Sequence, residues 1–311
     1  MYMREFLIPL TSGLAIFLFG MILMRNGLEQ LAGARIRAGI AHFTQSPIKG
    51  FLTGTVATAL LHSSSTVTVL AVGLTSAGLM SFSQSIGVIL GANVGTTVTL
   101  EMLTFPLDRF ALAILIAGAG FLVLPSAKAR QIGWIAIGLS LLFIGLQIVQ
   151  LVAEPLAGRP WFKHGLALAS QHLAMSFLLG LFVTAVIQSS TAAIALLMSL
   201  MASGDIALAP GVAYVLGSNV GTCVTALIAA LGSSDEAKKV ALAHLVLNGL
   251  GALALFPLIP WFTEKLAGWG GSPAAQIAHT QVIFNMVCSL AVLPWARGFA
   301  NGIHRIYDMM F

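Results

Sequence analysis

Charge is what this sequence has least of. Only 8% of its 311 residues are Asp, Glu, Lys or Arg, against 58% hydrophobic, whereas soluble globular domains carry about 25% charged residues. Residues 50–100, 164–204 and 206–234 hold no charged side chain. Most of such a surface cannot face water, and a bilayer span needs about 20 apolar residues, so several spans fit. Cysteine is scarce too. Cys223 and Cys288 both sit in apolar segments, which gives no indication of a disulfide framework and reads as two buried structural thiols. No Walker A loop, nucleotide fingerprint or metalloprotease signature is present. Ser63 follows His62, but adjacent side chains point apart and no carboxylate stands by to orient the imidazole. An enzyme is therefore not expected. The formal charge of +5, without interleaved aromatic and basic residues, fits topology signals in a membrane better than nucleic acid. The opening MYMREFLIPL has no small-residue cleavage pattern; it reads as the start of the first membrane helix.

Glycine and internal repetition are what the sequence has in quantity. The 32 glycines suit closely packed or broken membrane helices. Residues 54–99 align with 180–225 at a constant offset of 126, with 16 identities in 46 positions. GANVGTTVT (91–99) recurs as GSNVGTCVT (217–225), and Ser63-Ser64 as Ser189-Ser190. Upstream, Gly13, Leu14, Gly20, Glu29, Leu31, Ala32 and Gly33 recur as Gly138, Leu139, Gly145, Glu154, Leu156, Ala157 and Gly158. The repeats cover about 13–125 and 138–228, within one transmembrane domain over 1–311, with further helices at 240–295. There VALAHLVLN (240–248) echoes IAHTQVIFN (277–285), pairing His244 with Gln281 and Asn248 with Asn285.

Each repeat is interrupted. The apolar runs flanking HSSST, at 50–61 and 67–80, are each too short to cross a bilayer. The chain either passes through as one long helix with a hydroxyl-rich middle, or dips in, turns and returns. The segment 174–203 around Gln188-Ser189-Ser190-Thr191 poses the same choice. With both elements re-entrant, the spans fall at about 6–24, 84–100, 109–126, 132–152, 206–228, 240–259 and 276–295. Ten Lys and Arg, Arg25 among them, then lie on one side and five on the other. The positive-inside rule puts the N-terminus outside and the C-terminus in the cytoplasm. The two Ser elements enter from opposite faces. The expected fold is an all-α inverted-repeat secondary transporter with two re-entrant helical hairpins.

The motifs offer His62, Ser63, Ser64, Ser65, Thr66, Asn93, Thr96 and Thr97 from one half. The other half adds Gln188, Ser189, Ser190, Thr191, Asn219 and Thr222. Hydroxyl and amide oxygens suit hard cations, and broken-helix N-termini suit oxyanions. No Lys or Arg lies within the motifs, so a desolvated oxyanion lacks a counter-charge there. Bound sodium would supply it, which gives a reason for coupling. Phosphate, sulfate, proton coupling and an uncoupled channel remain alternatives on this argument. Glu29 and Glu154 read as interfacial helix ends, Asp205 as a helix cap, and Lys238 and Lys239 as a cytoplasmic loop. His244/Asn248 and Gln281/Asn285 are i, i+4 pairs on one helix face, suited to interhelix packing or to supporting the hairpins.

The paired His/Gln-Ser-Ser elements, GANVGTTVT, GSNVGTCVTALIAAL and the opening GLAIFLFGMILMRNGLEQLAG resemble the type II sodium–phosphate cotransporter family, including its bacterial branch, over about 10–295. The resemblance implies phosphate as substrate, Na+ as the co-transported ion and the bacterial cytoplasmic membrane as location. It places the sodium and phosphate sites around Ser63, Ser64, Ser65, Gln188, Ser189 and Ser190, with Ser64, Ser65, Gln188, Ser189 and Ser190 as candidate sodium ligands. Two positions depart from the family's pattern: His62 stands where Gln is usual, and Thr191 where Ser is usual. Some bacterial members carry a regulator-like soluble C-terminal domain; none is expected in these residues.

Overall fold

The computed structural model describes residues 7–105, 107–157, 172–201 and 206–310. Every regular element among them is helical. In the first half α1 is Ile8–His42, α2 Pro47–Leu61, α3 Ser64–Ser76, α4 Phe82–Thr104, α5 Ala111–Leu122 and α6 Ala127–Ala157. In the second, α7 is Leu173–Ile187, α8 Ser190–Met201, α9 Leu208–Ala230, α10 Asp235–Leu255, α11 Ile259–Gly268, α12 Pro273–Val292 and α13 Ala296–Met310. Six of the described stretches are long and apolar enough to cross a membrane. Serine caps set several starts. Ser46 precedes Pro47 at α2, Ser81 forms a capping box with Gln84 at α4, and Ser234 and Ser272 cap α10 and α12.

Two expectations change. The first helix does not end near residue 24: α1 runs unbroken for 35 residues, about 52 Å at 1.5 Å per residue. Arg25 and Glu29 therefore lie mid-helix, not in a loop. The stretch expected to span at 109–126 is divided into a 3-10 turn, Leu107–Phe110, and the 12-residue α5. Asp205 lies outside the described residues, as does the side chain of Glu154.

Glycines fix the helix directions. A Cβ on Gly20 would stand 2.7 Å from the Gly138 carbonyl oxygen, and one on Gly13 3.1 Å from that of Gly145. Early residues of α1 thus meet late residues of α6, so the two helices run antiparallel. The contacts are also crossed, because Gly13 matches Gly138 in the repeat and Gly20 matches Gly145. By contrast, α2 and α4 run parallel: Gly50 faces Gly87, and Gly95 faces Thr55 and Thr58. Only residues 77–81 join α3 to α4, so α3 must carry the chain back along α2. The packing of α7 on α9 repeats this geometry. Across the halves, α3 packs on α9 and α8 on α4.

Outward faces are apolar. On α2, Ile48, Leu52, Val56 and Leu60 are exposed, and on α7 Met175, Leu178, Phe182 and Val186. That matches helices whose outer solvent is hydrocarbon. α13 buries Ala296, Ala300, Ile303 and Tyr307 on one side, the pattern of an amphipathic helix. Lys238 and Lys239 pair with Asp235 and Glu236 at the start of α10. Both cysteines are free; Cys223 is buried and Cys288 half-buried.

Candidate functional site

The two helix breaks share one backbone device. His62 ends α2 at φ 51° and Gln188 ends α7 at φ 58°. Among the described residues they are the only non-glycine residues with positive φ. A left-handed L-residue is unfavourable by roughly 1–2 kcal/mol, so the surrounding packing imposes it. The next residue then starts a new helix. Ser63 Oγ accepts from Thr66 N at 3.1 Å, and Ser189 Oγ accepts from Ala192 N at 3.2 Å. His62 Nδ1 lies 2.8 Å from Thr99 Oγ1, which anchors the first break to α4.

The breaks meet. Ser65 Oγ donates to the Gln188 carbonyl at 3.4 Å. Between them opens a mouth of about 40 Å³ lined by His62 to Ser65, by Gln188 to Thr191, and by Met21, Ile22 and Arg25 of α1. That volume is a few times the roughly 10–15 Å³ that one water requires. Thr66 sits just behind, its hydroxyl 2.9 Å from Ser63 Oγ.

Arg25 corrects the expectation of a site without a cation. Its Nη2 donates to Ser63 Oγ at 2.8 Å, although 38 residues separate the two. Glu29 lies one turn further along the same helix face. The sequence carried a signal for this. A basic residue inside an apolar helix is costly in a membrane and marks a functional position by default.

A second, smaller void of about 10 Å³ lies behind the tips. Its lining is polar and consists of matched pairs: Ser64 with Ser190, Asn93 with Asn219, Thr96 with Thr222, His244 with Gln281, Asn248 with Asn285. His244 Nε2 donates to Asn93 Oδ1 at 3.2 Å, and Asn93 Nδ2 to Asn248 Oδ1 at 3.3 Å. Asn219 and Gln281 exchange amide hydrogen bonds at 2.6 and 2.9 Å. His244, Asn248 and Gln281 therefore bond the Asn-Val-Gly-Thr helices and not the tips, while the Asn285 amide has no hydrogen-bond partner among the described residues. Of the residues expected at the site, Thr66 and Thr97 line neither void; the Thr97 hydroxyl bonds the Val94 carbonyl at 2.8 Å.

Comparison with known proteins gives this arrangement a family. Residues 16–151 and 154–270 match the Na+/Pi-cotransporter family. The chain belongs to that family. YqeW of Bacillus subtilis, whose name assigns it no function, is 36% identical over 298 residues, covering 96% of this chain and 97% of YqeW. YjbB of Escherichia coli K12, named provisionally for inorganic phosphate export, is 27% identical over 296 residues. That match covers 95% of this chain but 54% of YjbB, so the chain spans about half of that relative. Sodium-dependent phosphate transport protein 2A of Rattus norvegicus is 34% identical over 95 residues, 30% of this chain and 15% of that protein. No solved structure matches the chain. Family members are transporters rather than enzymes, and the apolar helices make this a multi-pass membrane protein.

Proposed function

We propose that the protein carries inorganic phosphate across the bacterial cytoplasmic membrane coupled to sodium, with both held near midplane between the two broken-helix tips. One observation carries the reading: Arg25 reaches the tip of the first break inside a mouth shared with the second. A doubly charged phosphate facing one guanidinium keeps about one uncompensated charge. The starts of α3 and α8 contribute N–H groups and their positive dipole ends. Sodium bound through Ser64, Ser65, Gln188, Ser189 and Ser190 supplies the remainder, so ion and anion bind best together. Of the other expected site residues, Asn93, Thr96, Asn219 and Thr222 act from behind this pair, and Thr97 stands outside it.

In this reading α2–α3 and α7–α8 are re-entrant hairpins entering from opposite faces of an inverted repeat. Support comes from the parallel course of α2 and α4 and from the crossed, antiparallel contact of the matched helices α1 and α6. The whole chain forms one transporter domain, with the N-terminus outside and the C-terminus cytoplasmic. Export is a second reading, favoured by the name of the Escherichia coli relative; the imposed gradients decide between them.

The test is phosphate flux in proteoliposomes with sodium or choline on each side. A sodium gradient is expected to drive phosphate in the same direction. Equal flux in the two salts overturns sodium coupling, and flux driven by a pH gradient alone moves the coupling to protons.

A further inference from the structure

A row of residues on α1 leads away from the mouth. Arg25, Glu29, Gly33 and Arg37 follow one another at intervals of four, so they lie along one slanting ridge of the helix. Arg25 lines the mouth and donates to Ser63 Oγ at 2.8 Å. Glu29, one turn on, is half-buried. Its carboxylate has no hydrogen bond or ion pair among the described residues. An ionisable side chain at mid-helix in a membrane protein is costly and marks a functional position by default. Beyond it, the Arg37 guanidinium folds back along the helix. A Cβ on Gly33 would stand 3.7 Å from Glu29 Cβ and 3.8 Å from Arg37 Nη2. The missing side chain at Gly33 thus leaves Arg37 a path toward Glu29. One carboxylate therefore stands between two guanidinium groups, and only the first of them reaches the mouth.

Relative strengths decide which pair forms when. An i, i+4 ion pair on a helix is weak, and weaker when the basic residue comes first, as Arg25 does before Glu29. A doubly charged phosphate on the same guanidinium makes stronger, charge-assisted hydrogen bonds. Phosphate therefore displaces Glu29 from Arg25, and not the reverse. When phosphate departs, Arg25 keeps only a neutral hydroxyl, and a partly desolvated guanidinium draws the nearest carboxylate. We propose that Glu29 is a positioning residue that exchanges counter-ions with phosphate. It pairs with Arg37 while phosphate holds Arg25, and moves to Arg25 as phosphate leaves. The proposal rests on the phosphate-transport reading above. Glu29 touches no part of the anion and acts through Arg25. Arg37 acts at one further remove, by holding Glu29 away from the mouth. Because Arg37 is exposed, water satisfies it when Glu29 turns away.

The test is the kinetics of phosphate transport by the full chain in proteoliposomes. Glu29→Gln removes the competitor for Arg25. It is expected to lower the KM for phosphate about two- to fivefold, the range of one weak ion pair. It should also lower kcat, because release loses the group that reclaims Arg25. Arg37→Gln leaves Glu29 on Arg25 and is expected to raise the KM by a similar factor. The double variant should match Glu29→Gln alone, since Arg37 acts only through Glu29. A merely structural role gives no such reversal of sign. Glu29→Asp keeps the charge and should restore kcat toward wild type. Arg37 is exposed, so its variant decides the matter even where Glu29→Gln fails to fold. An unchanged KM in Arg37→Gln overturns the proposal. So does a Glu29→Gln KM at or above wild type, or a double variant that follows Arg37→Gln. A wild type that moves no phosphate removes instead the transport reading on which the exchange rests.

Discussion

Left-handed backbone at a residue other than glycine needs something to hold it, and here it occurs at two matched positions. His62 and Gln188 take the same αL conformation, so the conformation does not depend on the imidazole. His62→Gln is accordingly expected to keep the fold and to transport phosphate; a dead but folded variant would show that the imidazole has a chemical role. Arg25 is the opposite case, a side chain whose charge is the point. A hydrogen bond to a charged group contributes about 1.5–3 kcal/mol, so Arg25→Gln should raise the KM for phosphate roughly 10–100-fold. A melting temperature near wild type would separate this from misfolding, and an unchanged KM would remove Arg25 from the site. The serine and amide motifs were legible because they recur. Arg25 was not, since its partner lies 38 residues away and it was counted with the loop charges that set topology.

At the scale of elements, close packing depends on missing side chains. A Cβ on Gly91 would collide with the Phe51 carbonyl oxygen, and one on the matched Gly217 with that of Phe177. Both neighbours are helix backbone and cannot step aside. Gly217→Val is expected to destabilise the α7–α9 pair by at least about 1–3 kcal/mol, the usual range for overpacking, read as a lower melting temperature in detergent. The hairpin reading makes its own prediction. Single cysteines at Lys49 and Ser81 should be labelled from one side of the membrane, and cysteines at His172 and Ala207 from the other. Labelling of Lys49 and Ser81 from opposite sides would replace the first hairpin with a through-helix. The breaks were readable from short apolar runs around polar motifs. The length of α1 was not, because Arg25, Glu29, Arg35 and Arg37 resemble a loop in composition, while the helix continues through them, packing on α6 at Gly27 and burying Ile36 and Ile40 with residues of α2 and α3.

For the whole molecule, the sequence repeat and the polar lining agree to an unusual depth. Both halves contribute equivalent residues to the small void behind the tips, including the short echo in α10 and α12. That echo was visible as two i, i+4 pairs but stood outside the expected site, since spacing along one helix does not tell which other helix it will meet. Asn93 and Asn219 are the partners that answer the question. The contact of α3 and α8 with both halves has a further consequence. Neither half lines the void by itself, because each returning helix packs on both halves. On the inverted-repeat reading, a gene encoding one half would have had to yield chains inserted in both orientations, each meeting an upside-down copy of itself. The joined chain needs no such encounter, and once joined the two halves were free to diverge. His62 opposite Gln188 and His244 opposite Gln281 are that divergence, with both histidines on the same side of the pairing.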